Sequence, residues 1–141
     1  MLLIRGFDPH DSRPPWWFTP GGGVDDGETD FDAACRELWE ETGYKSDDLV
    51  GPVWHRTADF TFLSELFRQE EVFYFLRVPH FEPSHTHWTA VELESMIESR
   101  WWDITELEDS GEKIYPKAFV AELRRLLSDG LPVEPIDVGG D

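Results

Sequence analysis

The sequence has a single cysteine, Cys35, so no disulfide can form within the chain. It also lacks any long apolar run: the opening Met-Leu-Leu-Ile is cut off by Arg5, far short of the roughly 20 residues a membrane span needs. With neither a disulfide framework nor an export signal, the expected compartment is the reducing cytoplasm. Basic residues are scarce, 12 Lys and Arg against 30 Asp and Glu, for a formal net charge of −18. Such a surface repels a nucleic-acid polymer or an anionic membrane, which disfavours both as partners. A small phosphorylated substrate stays open, because a bound divalent cation can invert the local charge. The chain shows no internal repeat and no interdomain linker.

What is there suits one domain. Hydrophobic residues make up 40% and aromatic residues 14% of the chain, enough for a real core. Leu2–Ile4 reads as a short strand, followed by a Gly6–Pro15 loop, Trp16-Trp17-Phe18 and a Pro-Gly-Gly-Gly turn at 20–23. A helix is expected over Asp30–Thr42, with Thr29 as its cap and Gly43 as its stop. Its buried stripe would be Phe31, Ala34, Cys35, Leu38 and Thr42. Val53–Leu63 and Glu71–Val78 read as strands around a charged turn at Arg68–Glu70. A short helix at Val91–Ser99, a short strand at Arg100–Asp103 and a helix over Pro116–Ser128 follow, the last ended by Gly130. Residues 1–130 would form the domain and 131–141 a mobile tail. The order of elements predicts an α+β fold, an α/β/α sandwich with helices on a mixed sheet.

The first helix carries the chemistry. With Phe31 as the zero of a helical wheel, Glu37, Glu40 and Glu41 fall at about 240°, 180° and 280°. They share one arc beside the apolar stripe, with Arg36 next to Glu40. Carboxylates crowded on adjacent turns repel one another by roughly 0.2–0.5 kcal/mol per pair. A hard cation such as Mg²⁺ relieves that cost and can bridge substrate phosphates. Taken alone, the three glutamates equally suit a solvated acidic face. Their surroundings distinguish them: Glu28 stands eight residues before Arg36, and Gly22 six residues before Glu28.

Gly22, Glu28, Arg36, Glu37, Leu38, Glu40, Glu41 and Gly43 together resemble the Nudix box, the signature of the Nudix hydrolase family. Tyr44 departs mildly, standing where an aliphatic residue is more usual. The Leu-Leu-Ile-Arg strand, the Pro-Gly-Gly approach to the helix and the Trp101–Leu107 segment are also similar to the family pattern. The resemblance implies a hydrolase of diphosphate linkages that uses Mg²⁺ or Mn²⁺. It makes Glu40 and Glu41 the principal metal ligands, with the Gly22 carbonyl completing the shell. Glu37 becomes a further ligand or the general base, a role the resemblance leaves open. Arg36 joins the catalytic set and pairs with Glu28, which is structural and orients helix and loop. A late-loop carboxylate is also implied, with Glu98 placed ahead of Glu92 and Glu94.

Arg5 is a candidate phosphate contact and Trp17 a candidate face for the substrate, since it borders the glycine loop. His85 and His87 are expected to be a loop pair without a metal. No proline or tyrosine marks Asp59–Phe62, where some subfamilies of the resembled family carry one. The substrate class therefore stays at a nucleoside triphosphate or a nucleoside diphosphate linked to another group. A nucleotide-binding sensor without turnover is the alternative. The chain begins inside the resembled pattern, which predicts either a start upstream of Met1 or an incomplete sheet edge, met by a homodimer or by a disordered or substituted edge.

Overall fold

The computed structural model describes residues 1–140. Strand β1 (Leu2–Gly6) lies between β2 (Trp16–Phe18) and β5 (Met96–Trp101), antiparallel to both. The second sheet is a long hairpin, β3 (Val50–Phe62) and β4 (Glu65–Phe75), with β6 (Ile136–Asp137) added parallel to β3. Helices α1 (Asp30–Thr42), α2 (Ala90–Ser95), α3 (Ile104–Asp109) and α4 (Phe119–Asp129) complete the chain. The fold is α+β as expected, with its strands divided into two three-stranded sheets, one of them mixed. Because β1 has a neighbour on each side, the first matching strand is not an open edge. Among the described residues no helix is long and apolar enough to cross a membrane.

Helix α1 spans the residues its sequence predicts. Thr29 Oγ1 accepts the Asp32 N–H at 3.1 Å, and Gly43 closes the helix with φ +80°, a conformation that suits glycine. The buried face is shifted from the expected stripe. Ala33, Glu41 and Thr42 are buried, whereas Phe31, Ala34, Cys35 and Leu38 are only partly covered. The carboxylate Glu41 thus takes a core position.

The hairpin turn falls at Leu63–Ser64, not at Arg68–Glu70, which lie inside β4. Both turn residues have positive φ, 51° and 66°, as a two-residue hairpin turn demands. Neither is the glycine or asparagine that signals such a turn. Contacts from the 7–15 loop hold it: Asp8 Oδ2 accepts the Leu63 N–H at 3.1 Å, and Arg13 donates to the Thr61 carbonyl at 2.6 Å.

Three further expectations change. The helix expected over Val91–Ser99 stops at Ser95, because Met96–Trp101 pairs with β1. Residues 104–109, to which the sequence assigns no element, form α3. Asp103 caps it by accepting the N–H groups of Thr105 and Glu106 at 2.9 and 3.1 Å. The boundary at 130 gives way too. Within the supposed tail, Ile136 pairs with Trp54 and Val138 is buried in the core. That core joins Leu3, Trp17, Trp54, Trp102, Leu107, Phe119 and Leu123.

Candidate active site

Glu37, Glu40 and Glu41 project from the second half of α1, where the 13-residue helix gives them a rigid base. The glycine loop closes onto them. The Gly21 N–H donates to Glu41 Oε2 at 2.8 Å. Gly22 runs so close to Glu37 that a Cβ there would lie 2.4 Å from its carboxylate oxygen, so a larger residue would push that carboxylate from its place. From the other side, α2 brings in Glu92. A capping box fixes that residue: Glu92 Oε1 accepts the Thr89 N–H at 2.8 Å and its own N–H donates to Thr89 Oγ1. One carboxylate oxygen each from Glu37, Glu41 and Glu92 then lie within 4.8 Å of one another.

The electrostatics of this cluster are unusual for surface glutamates. Glu41 is 2% exposed, and its carboxyl is pushed up to about 10. Burial is the main cause, and hydrogen bonding to Glu92 adds to it, outweighing the Gly21 N–H. Glu37 is also raised, because burial exceeds the pull of Arg36. Like charges brought together out of water favour the protonated form unless a cation joins them.

Arg36 fastens the other flank. Its Nε and Nη2 donate to the two Glu28 oxygens at 2.9 Å each. Nη1 reaches Glu37 at 2.9 Å and Glu40 at 3.1 Å, and Nη2 reaches the Gly23 carbonyl at 2.9 Å. The guanidinium therefore ties helix to loop, its own proton held more tightly by Glu28 and Glu37. Glu28 is held below the usual carboxylate range, first by Arg36 and then by the Asp25 N–H. Glu40 faces Arg36 and lies outside the three-carboxylate cluster.

Several expected residues are placed elsewhere. Glu98 is a strand residue opposite Arg5, and the carboxylate that joins Glu37 and Glu41 is Glu92. Trp17, expected to offer a face to substrate, is 2% exposed in the core and packs edge-on against Trp102 at 5.2 Å. Arg5 lies 5.9 Å from the Trp17 ring, with its Nε buried and without a hydrogen-bond partner. His85 stacks on Trp88 and His87 on Trp39, at 3.8 and 4.1 Å. Neither histidine joins the carboxylate cluster. Instead their loop braces the end of α1: Trp88 Nε1 donates to the Glu41 carbonyl and the Ser84 N–H to the Thr42 carbonyl, both at 2.9 Å.

A cavity of about 1450 Å³ opens beside the cluster, lined in part by Gly21, Gly22, Glu41 and Glu92. Arg56, Phe60 and Glu71 of the β3–β4 hairpin line it as well. Nothing in the sequence alone marks these three for a role. Seeing Arg56 and Glu71 as partners requires the strand register, which the misplaced turn hid. Glu92 was visible three residues after Thr89, in the spacing of a capping box.

Comparison with known proteins agrees with this geometry. Residues 1–123 match the family model described as NUDIX domain. An RNA pyrophosphohydrolase of Rhizobium meliloti is 47% identical over 54 residues, 37% of this chain and 32% of that protein. One of Tolumonas auensis is 61% identical over 50 residues, 36% of this chain and 26% of that protein. These matches span less than a third of either relative's length. The crystal structure of a MutT protein from Methanosarcina mazei Go1 is similar in fold, with TM-score 0.55 and 21% identity. That likeness covers 91% of this chain and 83% of the other.

Proposed function

The chain belongs to the NUDIX domain family, and from that premise we propose that it is a pyrophosphohydrolase dependent on Mg²⁺ or Mn²⁺. It acts on a diphosphate linkage in a nucleoside triphosphate or in a nucleoside diphosphate joined to another group. One observation carries the reading. Glu37, Glu41 and Glu92 converge within 4.8 Å around a buried carboxylate, an arrangement that costs stability without a cation. An all-oxygen donor set beside a glycine loop fits a hard divalent ion.

Glu41 and Glu92 would hold the ion, with Glu37 and the Gly22 carbonyl as further donors and Glu40 within reach on the same helix. The bound ion would polarise phosphoryl oxygens and lower the pKa of a coordinated water. Glu37 and Glu40 are the two candidates to accept the proton from the attacking water. Arg36 orients both, since Nη1 donates to each. Glu28 holds Arg36 in place and is structural. The P–O–P bridge then breaks as the water oxygen bonds to phosphorus, leaving two phosphorylated products. Arg5 remains a candidate phosphate contact, its unpartnered Nε being the supporting observation.

The relatives are named for RNA, but a chain of net charge −18 repels a polyanion. We therefore take the substrate to be a small nucleotide, and the activity to be cytoplasmic. The test is release of phosphate or pyrophosphate from a panel of nucleotides, with Mg²⁺, Mn²⁺ or chelator. Metal-dependent release that Glu41→Gln abolishes supports the reading. Metal-dependent binding without release would make the chain a nucleotide sensor.

A further inference from the structure

One face of the β3–β4 hairpin is apolar except in its middle. Its paired residues run Trp54 with Phe73, Arg56 with Glu71, Ala58 with Gln69, and Phe60 with Phe67. Arg56 and Glu71 are only 11% and 24% exposed, yet they form a two-point ion pair. Nε donates to Oε2 at 2.6 Å and Nη2 to Oε1 at 3.2 Å. A covered ion pair seldom adds stability over apolar residues of the same size, so stability alone does not account for it. Both side chains line the cavity that also reaches Gly21, Gly22, Glu41 and Glu92. At about 1450 Å³ that cavity has room for a sugar and a heterocycle beyond the diphosphate.

The pair presents a particular pattern of hydrogen-bonding groups. Binding side-on through Nε and Nη2 leaves the Nη1 hydrogens and the outer Nη2 hydrogen unused by the pair, and each carboxylate oxygen keeps lone pairs. Donors thus stand directly beside acceptors. Guanine matches this order, with acceptors N7 and O6 followed by donors N1–H and N2–H. Adenine carries the N6 donor next to the N1 acceptor, which sets lone pair against lone pair at the carboxylate. Along the same face, Phe60 and Phe67 lie nearly parallel, 5.7 Å apart at 22°. Of the two, Phe60 lines the cavity and offers it an aromatic surface, with Phe67 beside it.

We infer that Arg56 and Glu71 read the heterocycle of the substrate and that this heterocycle is guanine. The inference rests on the proposed nucleotide hydrolase and narrows its substrate. Arg56 donates to O6 and N7, Glu71 accepts from N1–H and N2–H, and each holds the other in place.

The experiment compares guanosine and adenosine triphosphate as substrates of the full chain with Mg²⁺. Alongside it, calorimetry measures binding of GMP and AMP without metal. In the wild type, kcat/KM for the guanine nucleotide should exceed that for adenine roughly tenfold or more, the usual worth of a two-point contact to a base. The variant Arg56→Gln with Glu71→Gln removes both charges and should bring the ratio near one through a rise in KM for the guanine nucleotide. If that variant fails to fold by circular dichroism, Glu71→Gln alone serves, since it keeps an acceptor for Arg56. Equal turnover of the two nucleotides by the wild type overturns the inference, as does a ratio the variants leave unchanged. If neither nucleotide is hydrolysed, the hydrolase reading fails for them. The GMP preference in binding then decides the inference separately, and equal or absent binding ends it.

Discussion

Glu41 occupies a position on α1 that its neighbours would fit with an apolar side chain, and it does so 2% exposed. In the metal-free protein its carboxyl sits near 10, against an ordinary value of 4.5. Between those limits the folded chain keeps a proton that the unfolded chain has lost. Its contribution to stability is therefore full below about pH 4.5 and declines as pH rises toward 10. With chelator present, the melting temperature of the wild type should fall relative to that of Glu41→Gln as pH is raised from about 5.5 to 8.5. By the upper end the variant should melt about 3 °C higher or more; a gap that closes instead would contradict the assignment. Addition of Mg²⁺ should raise the wild-type midpoint and leave that of Glu41→Gln nearly unmoved. Arg36 works differently, through contacts to Glu28, Glu37, Glu40 and Gly23. Arg36→Lys cannot reproduce the planar fork and should cost about 1–3 kcal/mol in urea unfolding, with lower turnover than the wild type in the proposed nucleotide assay.

Among the elements, α1 was legible to the residue because cap, stop and spacing all agree within one short stretch. The three box glutamates came with it. What depends on pairing between distant segments was not legible. The turn at Leu63–Ser64 carries no glycine, because Asp8 and Arg13 supply from another loop the bonds that hold it. Placing the turn at Arg68–Glu70 instead shifts every partner across the hairpin, so Arg56 no longer meets Glu71. Likewise nearness to the Trp101 segment puts Glu98 ahead of Glu92 in the sequence; sheet pairing of Met96–Trp101 with β1 separates them. The turn itself can be tested. Replacing Leu63 and Ser64 by Asn and Gly suits the positive φ values and should stabilise by about 1 kcal/mol. Asp8→Ala should destabilise by about 1–3 kcal/mol, since it leaves the covered Leu63 N–H without its acceptor. A neutral result for both, measured by chemical unfolding, would show that the 7–15 loop does not fix the hairpin.

For the whole molecule, the far C-terminal segment is part of the fold. Ile136 pairs with Trp54 and Val138 is 5% exposed against the core. Removing residues 131–141 takes those two side chains out of the core and uncovers one side of Trp54. By the usual worth of apolar burial this should cost about 2–4 kcal/mol, read as a lower urea midpoint. Unchanged stability would return the boundary to residue 130. The acidic balance has its own effect at this scale: a net charge of −18 repels itself within the folded chain. Raising NaCl from about 0.01 to 0.3 M should therefore increase the melting temperature, as screening shortens the reach of that repulsion.

With its carboxyl pushed up to about 10, Glu41 would make the proposed metal site an ion exchanger. At neutral pH that carboxyl keeps its proton, so a divalent cation would enter the proposed site only as the proton leaves. Titrating Mg²⁺ into a weakly buffered, chelator-free solution should acidify it by close to one equivalent per chain. Apparent metal affinity should then weaken about tenfold for each unit of acidification below neutrality. If the proposed metal dependence holds, a fall in pH would thus lower activity by competition at one site, with no change of shape required.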